Sequence, residues 1–360
     1  MRTVNGGRER PGRWKVVLRL LPAVSALLGL DARAQPSSDA GFNLHNQTYC
    51  SDGADTPETV ARLAKKAGVR ALSITDHDSV DCLDRARSEA DKLGLRLIPG
   101  VEISVEDDSI HILGLGVDAK NSALLSLLEK GRSSRIERTR ETLKKFASLP
   151  QKTPPFGINE ILAHKSERAR QVEEAAAPSG PGGEEGPLTF EPGAISRPDI
   201  ARLLVLRGAA PDIRSAFDLF LGETGAAHVP LKGPAFETAI DAIHAAGGIA
   251  VMAHPYRVYS LRFPRSYSGR QFRNFNELAW DMLKAGLDGF EQYKNRRSPT
   301  PWLMEMGRLY GARLSRKVLY TPGSDYHGTD ASGDSSGERE LLAIPIPAGE
   351  AESIRRALEE

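Results

Sequence analysis

Between residues 42 and 102 the chain carries three short polar clusters, Asn43-Leu44-His45-Asn46-Gln47, Thr75-Asp76-His77-Asp78 and Pro99-Gly100-Val101-Glu102, each directly after an apolar run. Chains that end successive strands with imidazoles and carboxylates gather them at one rim of a parallel sheet, where α/β folds place their chemistry. A rim of that composition suits metal ions, and the rest of the chain can be asked for the missing ligands.

Bulk numbers set the frame. A chain of 360 residues can bury a large core, enough for one big domain with an insertion or two smaller ones. The formal charge of +1 supplies no general pull toward nucleic acid or membrane, and there is no signal for duplex DNA binding. Cys50 and Cys82 are the only cysteines, which excludes a disulfide framework and a Cys-rich zinc site. They read as two unpaired thiols, with one bridge as the alternative.

Residues 1–40 differ in character. Arg2, Arg8, Arg10, Arg13 and Lys15 precede an apolar stretch over 20–30, then Ala32-Arg33-Ala34, the three parts of a secretory signal. The stretch is too short to span a membrane, so no transmembrane helix is expected. Export is the expectation; an organelle presequence or a start codon assigned too far upstream is the alternative, leaving a cytoplasmic protein.

The remainder alternates strands and helices. Strands are expected at 41–44, 71–75, 96–102 and 109–117, with helices at 57–67, opened by Thr56-Pro57-Glu58, and at 80–93, closed by Gly94. From 122 the pattern becomes helical, at 122–148, 157–164, 197–207 and 213–219, with an Ala-, Pro-, Gly- and Glu-rich flexible loop at 173–191. The βα rhythm resumes with helices at 236–246, 275–285 and 301–310 and strands at 248–253, 289–292 and 318–321. The division is a first barrel part at 41–121, a helical insertion at 122–235 and a second barrel part at 236–360.

The candidates at strand ends are His45, Asp52, His77, Glu102, His111, His254, Asp325 and His327. All are hard to borderline ligands. A lone histidine beside an apolar run is commonly a hydrogen-bonded core residue, but five of the eight histidines here fall in such motifs.

In order, Leu44-His45-x-Gln47, Ser51-Asp52-Gly53, Thr75-Asp76-His77-Asp78, Pro99-Gly100-Val101-Glu102-Ile103-Ser104, His111-Ile112-Leu113-Gly114, Ala253-His254-Pro255 and Gly323-Ser324-Asp325-Tyr326-His327-Gly328 resemble the motifs of the polymerase and histidinol phosphatase (PHP) family. The likeness runs from about residue 41 to the end, and the insertion resembles that of the branch acting on nucleotide phosphates. It implies an α/β fold, a distorted seven-stranded (βα) barrel with an inserted mainly helical subdomain. It also implies up to three divalent ions, commonly manganese, with zinc, iron or magnesium in some members. Carried over by position, His45, Gln47, Glu102 and Asp325 hold one ion; Glu102, His111 and His254 a second; Asp52, His77 and His327 a third. His77, Asp325 and His327 carry the catalytic role. The chemistry implied is phosphoester hydrolysis by a metal-activated hydroxide.

The sequence departs from the family at Gln47, where the pattern has histidine, and at Asn43, often aspartate. An amide oxygen is a poorer ligand than imidazole, so the first ion should bind more weakly. The leading expectation is a phosphoesterase for a nucleotide-type or small phosphomonoester, extending to short RNA. Its alternative is a catalytically weakened metal- or ligand-binding protein of the same fold, and an exported scavenging phosphatase would share the chemistry. Asp199, where histidine is frequent, and Asn295-Arg296-Arg297-Ser298 point to a shifted specificity. Arg197 and Arg297 are phosphate-fork candidates, against a reading as solvated arginines.

Two basic stretches remain. Lys130, Arg132, Arg135, Arg138 and Arg140 alternate with Glu129, Glu137 and Glu141 and read as a solvated helix face, with Arg135 the one candidate for substrate contact. Tyr256, Tyr259, Phe263, Tyr267 and Phe272 interleave with arginines after His254, a composition that suits a nucleotide-binding lid or an ordered surface insertion.

Overall fold

The computed structural model describes residues 41–149, 156–176, 195–293, 300–328, 344–345 and 348–359. Its strands are β1 (Gly41–Asn43), β2 (Val69–Ile74), β3 (Arg96–Val105), β4 (Ile110–Leu115), β5 (Ile249–Met252), β6 (Arg265–Tyr267), β7 (Arg270–Phe272), β8 (Gly289–Tyr293), β9 (Leu319–Gly323) and β10 (Ile344–Pro345). The helices are α1 (Pro57–Lys66), α2 (Leu83–Leu93), α3 (Ser122–Ser148), α4 (Ile158–Ala176), α5 (Arg197–Leu206), α6 (Ile213–Ala216), α7 (Phe236–Ala245), α8 (Pro255–Tyr259), α9 (Phe275–Lys284), α10 (Thr300–Leu314) and α11 (Ala348–Ala357).

Strands run in the order β10-β1-β2-β3-β4-β5-β8-β9. β1, β2 and β3 are parallel, β4 is antiparallel to both neighbours, and β5, β8 and β9 are parallel again. The Leu44 amide donates to the Pro322 carbonyl at 2.8 Å and the Gln47 amide to that of Tyr326 at 2.7 Å, bringing β9 back to β1. The result is a nearly closed seven-stranded barrel, with β10 laid antiparallel along β1. This is the distorted barrel that the sequence predicts.

Alternation along the strands explains its two cores. In β4, Leu113 and Leu115 point inward to meet Ala71, Ile98, Val251 and Leu319, while Ile110 and Ile112 point outward under α7 and α9. Leu72 and Ile74 of β2 likewise face α1 and α2. Ile354 of α11 joins the inner cluster. Local chemistry sets the helix ends. Thr56 caps α1 by accepting from the Thr59 amide with Pro57 in the first turn, and Gly94 ends α2 in the left-handed region at φ 60°. The helices of the insertion gather a third core around Phe146, Ile161, Leu204 and Phe220.

Several expectations change. The helix placed at 157–164 continues to Ala176, so residues 173–176 of the predicted loop are helical; residues 177–191 lie outside the described residues. Glu173 explains the extension, because it is buried and accepts from the Tyr49 hydroxyl at 2.6 Å and from Arg85 at 2.7 Å. Cys50 and Cys82 form a disulfide, with Cα atoms 6.2 Å apart, so the reading as unpaired thiols is wrong. Their separation of 32 residues hid the pairing, which arises because the loops after β1 and β2 meet at the same rim. The face of α3 bearing Arg135 and Arg138 is buried rather than solvated, since it packs over Asp78, Ser104 and Asp108.

The aromatic and arginine stretch after His254 is ordered, and its Arg257 reaches the cavity over the cluster. Tyr267 and Phe272 are buried in the outer core, and Arg265 and Arg270 of the β6–β7 hairpin pair with Glu223 and Glu237. Residues 1–40 and Arg297 lie outside the described residues. No helix among the described residues is long and apolar enough to cross a membrane.

Candidate metal centre

Each strand delivers its side chain to one end of the barrel. β3 carries Glu102 in mid-strand and β4 carries His111, which faces Ser104 across the pair. His254 directly follows Ala253 at the end of β5, and the loops after β1, β2 and β9 bring His45, Gln47 and Asp52, then His77, then Asp325 and His327. Asp78, His254 and Asp325 all take positive φ, at 50°, 29° and 52°. Such backbone costs free energy for residues with a Cβ and persists where surrounding contacts impose it, commonly at functional sites.

Glu102 is fully buried at the hub. One carboxylate oxygen lies 3.0 Å from His45 Nε2 and 3.4 Å from His77 Nδ1. The other lies 2.9 Å from His111 Nδ1 and 3.1 Å from His254 Nε2. Asp325 Oδ1 is 3.2 Å from His45 Nε2, and His327 Nε2 is 3.5 Å from Asp52 Oδ1. Three overlapping groups have ligand atoms close enough to share an ion: His45–Glu102–Asp325, His77–Glu102–His111 and Asp52–His77–His327. His254 adjoins the second, 3.2 Å from His111.

The electrostatics fit divalent cations. Burial opposes charge on His45, yet Glu102, Glu291 and Asp325 outweigh it and raise its pKa well above the usual range. His111 is raised to about 9 in the same way, against burial, by Glu102 and Asp108. Burial would raise Asp52, but His77, His327, Arg135 and Lys165 lower it to about 2. The carboxylates thus hold protons on His45 and His111 that a cation would displace, while burial lowers His77 and His254. Asp52 Oδ1 and His77 Nδ1 are buried without a hydrogen-bond partner, as expected of atoms aimed at ions.

Gln47 occupies its place differently from an imidazole. Its amide nitrogen donates to Glu102 while its oxygen accepts from Ser51 Oγ at 2.8 Å, an orientation that makes it a donor within the cluster.

Sequence reading missed four contributors. Glu291 on β8 is fully buried, its carboxylate 2.9 Å from His45 Nδ1 and accepting from the His254 backbone amide, so it braces the His45 imidazole and the His254 backbone from behind. Its only signal was a carboxylate inside a short apolar strand. Asp108 accepts from Arg138 at 2.7 Å and lies 3.2 Å from His111 Nε2; it looked like part of an acidic turn. Asp76 accepts from the Thr48 amide, Thr48 Oγ1 and Ser51 Oγ at 2.6–2.7 Å and, through burial, is raised to about 6. Lys165 of α4 reaches the Ser51 carbonyl at 2.6 Å and Asp199 at 3.3 Å, tying the insertion to the rim.

A cavity of about 70 Å³ opens over the cluster, walled by Arg135, Arg138, Arg197, Arg257 and Phe217. Arg135 donates Nε to Asp78 at 2.7 Å and Nη2 to Ser104 at 2.6 Å. Arg197 lies 3.0 Å from Asp108 and 5.8 Å from the Phe217 ring centre.

A βα barrel that collects histidines and carboxylates from so many strand ends into overlapping ligand groups under an arginine wall is a metal-dependent hydrolase of the α/β-barrel class. The PHP domain profile matches residues 43–152. The 3',5'-nucleoside bisphosphate phosphatase of Chromobacterium violaceum is 32% identical over 308 residues, 84% of this chain and 93% of that protein. The 5'-3' exoribonuclease Rnm of Escherichia coli K12 is 31% identical over 291 residues, 79% of this chain and 85% of its own. A solved structure from Bifidobacterium adolescentis, described as a candidate metal-dependent phosphoesterase, superposes with a TM-score of 0.65 at 27% identity, covering 90% of this chain and 97% of the other. The chain belongs to the PHP domain family and is a metal-dependent phosphoesterase.

Proposed function

We propose that the protein hydrolyses the terminal phosphate ester of a nucleotide-type substrate, either a nucleoside bisphosphate or the end of a short RNA. The observation that carries the reading is the juxtaposition of the Glu102-centred cluster with the guanidinium wall of its cavity. The names of the relatives support the nucleotide class. The proposed ligands are His45, Glu102 and Asp325 for one ion, with the Gln47 amide beside them donating to Glu102, then Glu102, His111 and His254 for another, and Asp52, His77 and His327 for the third. When bound, divalent ions supply Lewis-acid activation of water and charge neutralisation at the phosphoryl oxygens, with manganese the proposed metal.

The chain's own residues do the rest. Glu102 bridges the ligand groups and sets their spacing, and Glu291 fixes the tautomer and aim of His45. His77, Asp325 and His327 line the cavity and are proposed to place the attacking water and the leaving group against the ligand cluster. Arg197 and Arg257 are placed to grip phosphate, with Arg135 behind them, since guanidinium geometry matches that of the anion. Export is proposed as well: the Cys50–Cys82 bridge suits an oxidising compartment. Sequencing the mature N-terminus tests that point, and an intact residue 1 refutes it.

The functional test is phosphate release from a nucleoside 3',5'-bisphosphate, a 5'-phosphorylated short RNA and a non-nucleoside phosphomonoester after loading with manganese. Release from the nucleotides that disappears in His254→Ala and Asp325→Ala is expected. Equal turnover of all three substrates would remove the nucleotide class, and inertness toward all would remove the reading.

A further inference from the structure

We propose that the Cys50–Cys82 disulfide is the positioning element of the Asp52–His77–His327 corner, so that its oxidation state sets whether that corner holds an ion. The inference rests on the ligand assignment above. Cys50 stands two residues before Asp52, and Cys82 five residues after His77. Both cysteines are buried, and their bond joins the loop after β1 to the turn that opens α2. Two of the three side chains of this corner therefore ride on segments that the bond clamps together. The other ligand groups draw on β3, β4 and the ends of β1, β5 and β9, where ladder bonds and the Leu44–Pro322 bond hold the backbone close to each ligand.

The corner is also the one least held by its own side chains. Asp52 Oδ1 and His77 Nδ1 have no hydrogen-bond partner among the described residues. Glu291, by contrast, braces His45, and Asp108 braces His111. The nearest charged neighbours of those two atoms stand further off, Glu102 at 3.4 Å from His77 Nδ1 and His327 at 3.5 Å from Asp52 Oδ1, so the backbone that carries them contributes to their aim. Metal–ligand distances in sound sites fall within about 0.2 Å of their standard values, so the placement of each ligand backbone matters.

The ties that remain without the bond are polar contacts and the packing of Val80 and Leu83. Asp76 holds Thr48 and Ser51, Arg85 reaches the Tyr49 hydroxyl, and Lys165 reaches the Ser51 carbonyl. These groups keep the loop near the barrel. On the far side of His77, the Asp78 amide donates to the Glu102 carbonyl at 2.9 Å and Val80 packs on the core, and the disulfide adds the covalent tie from Cys82 to Cys50. Ala169 of α4 packs into the same small cluster as Tyr49 and the two cysteines, so the insertion rests on the clamp as well.

The test compares the oxidised protein with protein reduced by a trialkylphosphine. The phosphine gives two electrons to the S–S bond and takes oxygen from water to become the phosphine oxide, leaving two thiols. It is removed under inert gas, so no dithiol competes for metal. Each form is dialysed against buffered Mn2+ and its ions per chain are counted by elemental analysis, with the thermal transition recorded alongside. The expected result is one ion fewer in the reduced protein, at least a tenfold rise in the dissociation constant of that ion, and a retained cooperative transition. The Cys50→Ala/Cys82→Ala double variant is expected to match the reduced form and to ignore the phosphine. Equal ion counts in the oxidised and reduced forms would overturn the proposal. So would loss of every ion together with the folded transition, which would make the bond a general fold staple. If the oxidised protein itself binds no ion, the ligand assignment fails instead, and this inference with it.

Discussion

Arg135 offers the sharpest separation of structural from substrate roles. Its guanidinium pairs with Asp78 at 2.7 Å, and both side chains are almost wholly buried, 4% and 1% exposed. Asp78 sits at positive φ directly after His77, and its other carboxylate oxygen accepts from the Ser104 amide at 3.3 Å. Arg135→Ala leaves that carboxylate buried with one weak partner, a loss expected to cost about 3–5 kcal/mol. For a chain of this size roughly 2 °C of melting temperature accompanies each kcal/mol, so a fall of about 6–10 °C is expected. Adding Asp78→Asn removes the unpaired charge, and a double-mutant cycle should return a coupling energy on the order of 1–3 kcal/mol. Differential scanning fluorimetry on the metal-loaded protein, paired with steady-state kinetics, reads both roles. A melting temperature within a degree of the parent, together with a large rise in KM, would refute the reasoning: the pair would then contribute nothing to the fold, and Arg135 would act on substrate alone.

Three further expectations concern the rim and its support. Gln47→His replaces a hydrogen-bond donor to Glu102 with an imidazole and should tighten the most weakly held ion, seen as a lower Mn2+ dissociation constant by calorimetry; an unchanged constant would mean that the amide already serves. Gly323→Ala places a methyl group against the Glu291 carboxylate and 2.6 Å from His45 Cβ, so ion content and activity should fall together while the barrel still folds. Asp199 is buried, which opposes its ionisation, but Lys165, Arg202 and the Ser196 contacts hold its pKa below the usual carboxylate value. Its contribution is therefore present above the unfolded pKa of about 3.9 and lost as pH falls through the lower folded value, so Asp199→Asn should flatten the acid limb of a stability-against-pH curve. Parallel limbs for parent and variant would show that the Lys165 pair is not a stabilising contact.

The sequence by itself determined the barrel and the roster of its rim. Apolar runs of strand length alternating with capped helices dictate a βα order, and Thr56-Pro57 and Gly94 mark α1 and α2 through purely local backbone preferences. Strand-end histidines and carboxylates are equally legible, because a polar side chain right after a buried run has few places to go except the rim. What tertiary structure alone decided were pairings across long separations. Cys50 meets Cys82, Glu291 stands behind His45, Lys165 reaches Ser51, and Arg135 finds Asp78 because barrel closure and docking of α3 and α4 bring distant segments into contact. No local pattern encodes such encounters. A charged residue on a helix reads as solvated until the partner that neutralises it is known, so Arg135 and Arg138 looked exposed and Glu173 looked like loop. Gln47 shows the same limit within the opening cluster. Its identity was plain in the sequence, but only the fold placed its amide nitrogen toward Glu102 and its oxygen toward Ser51.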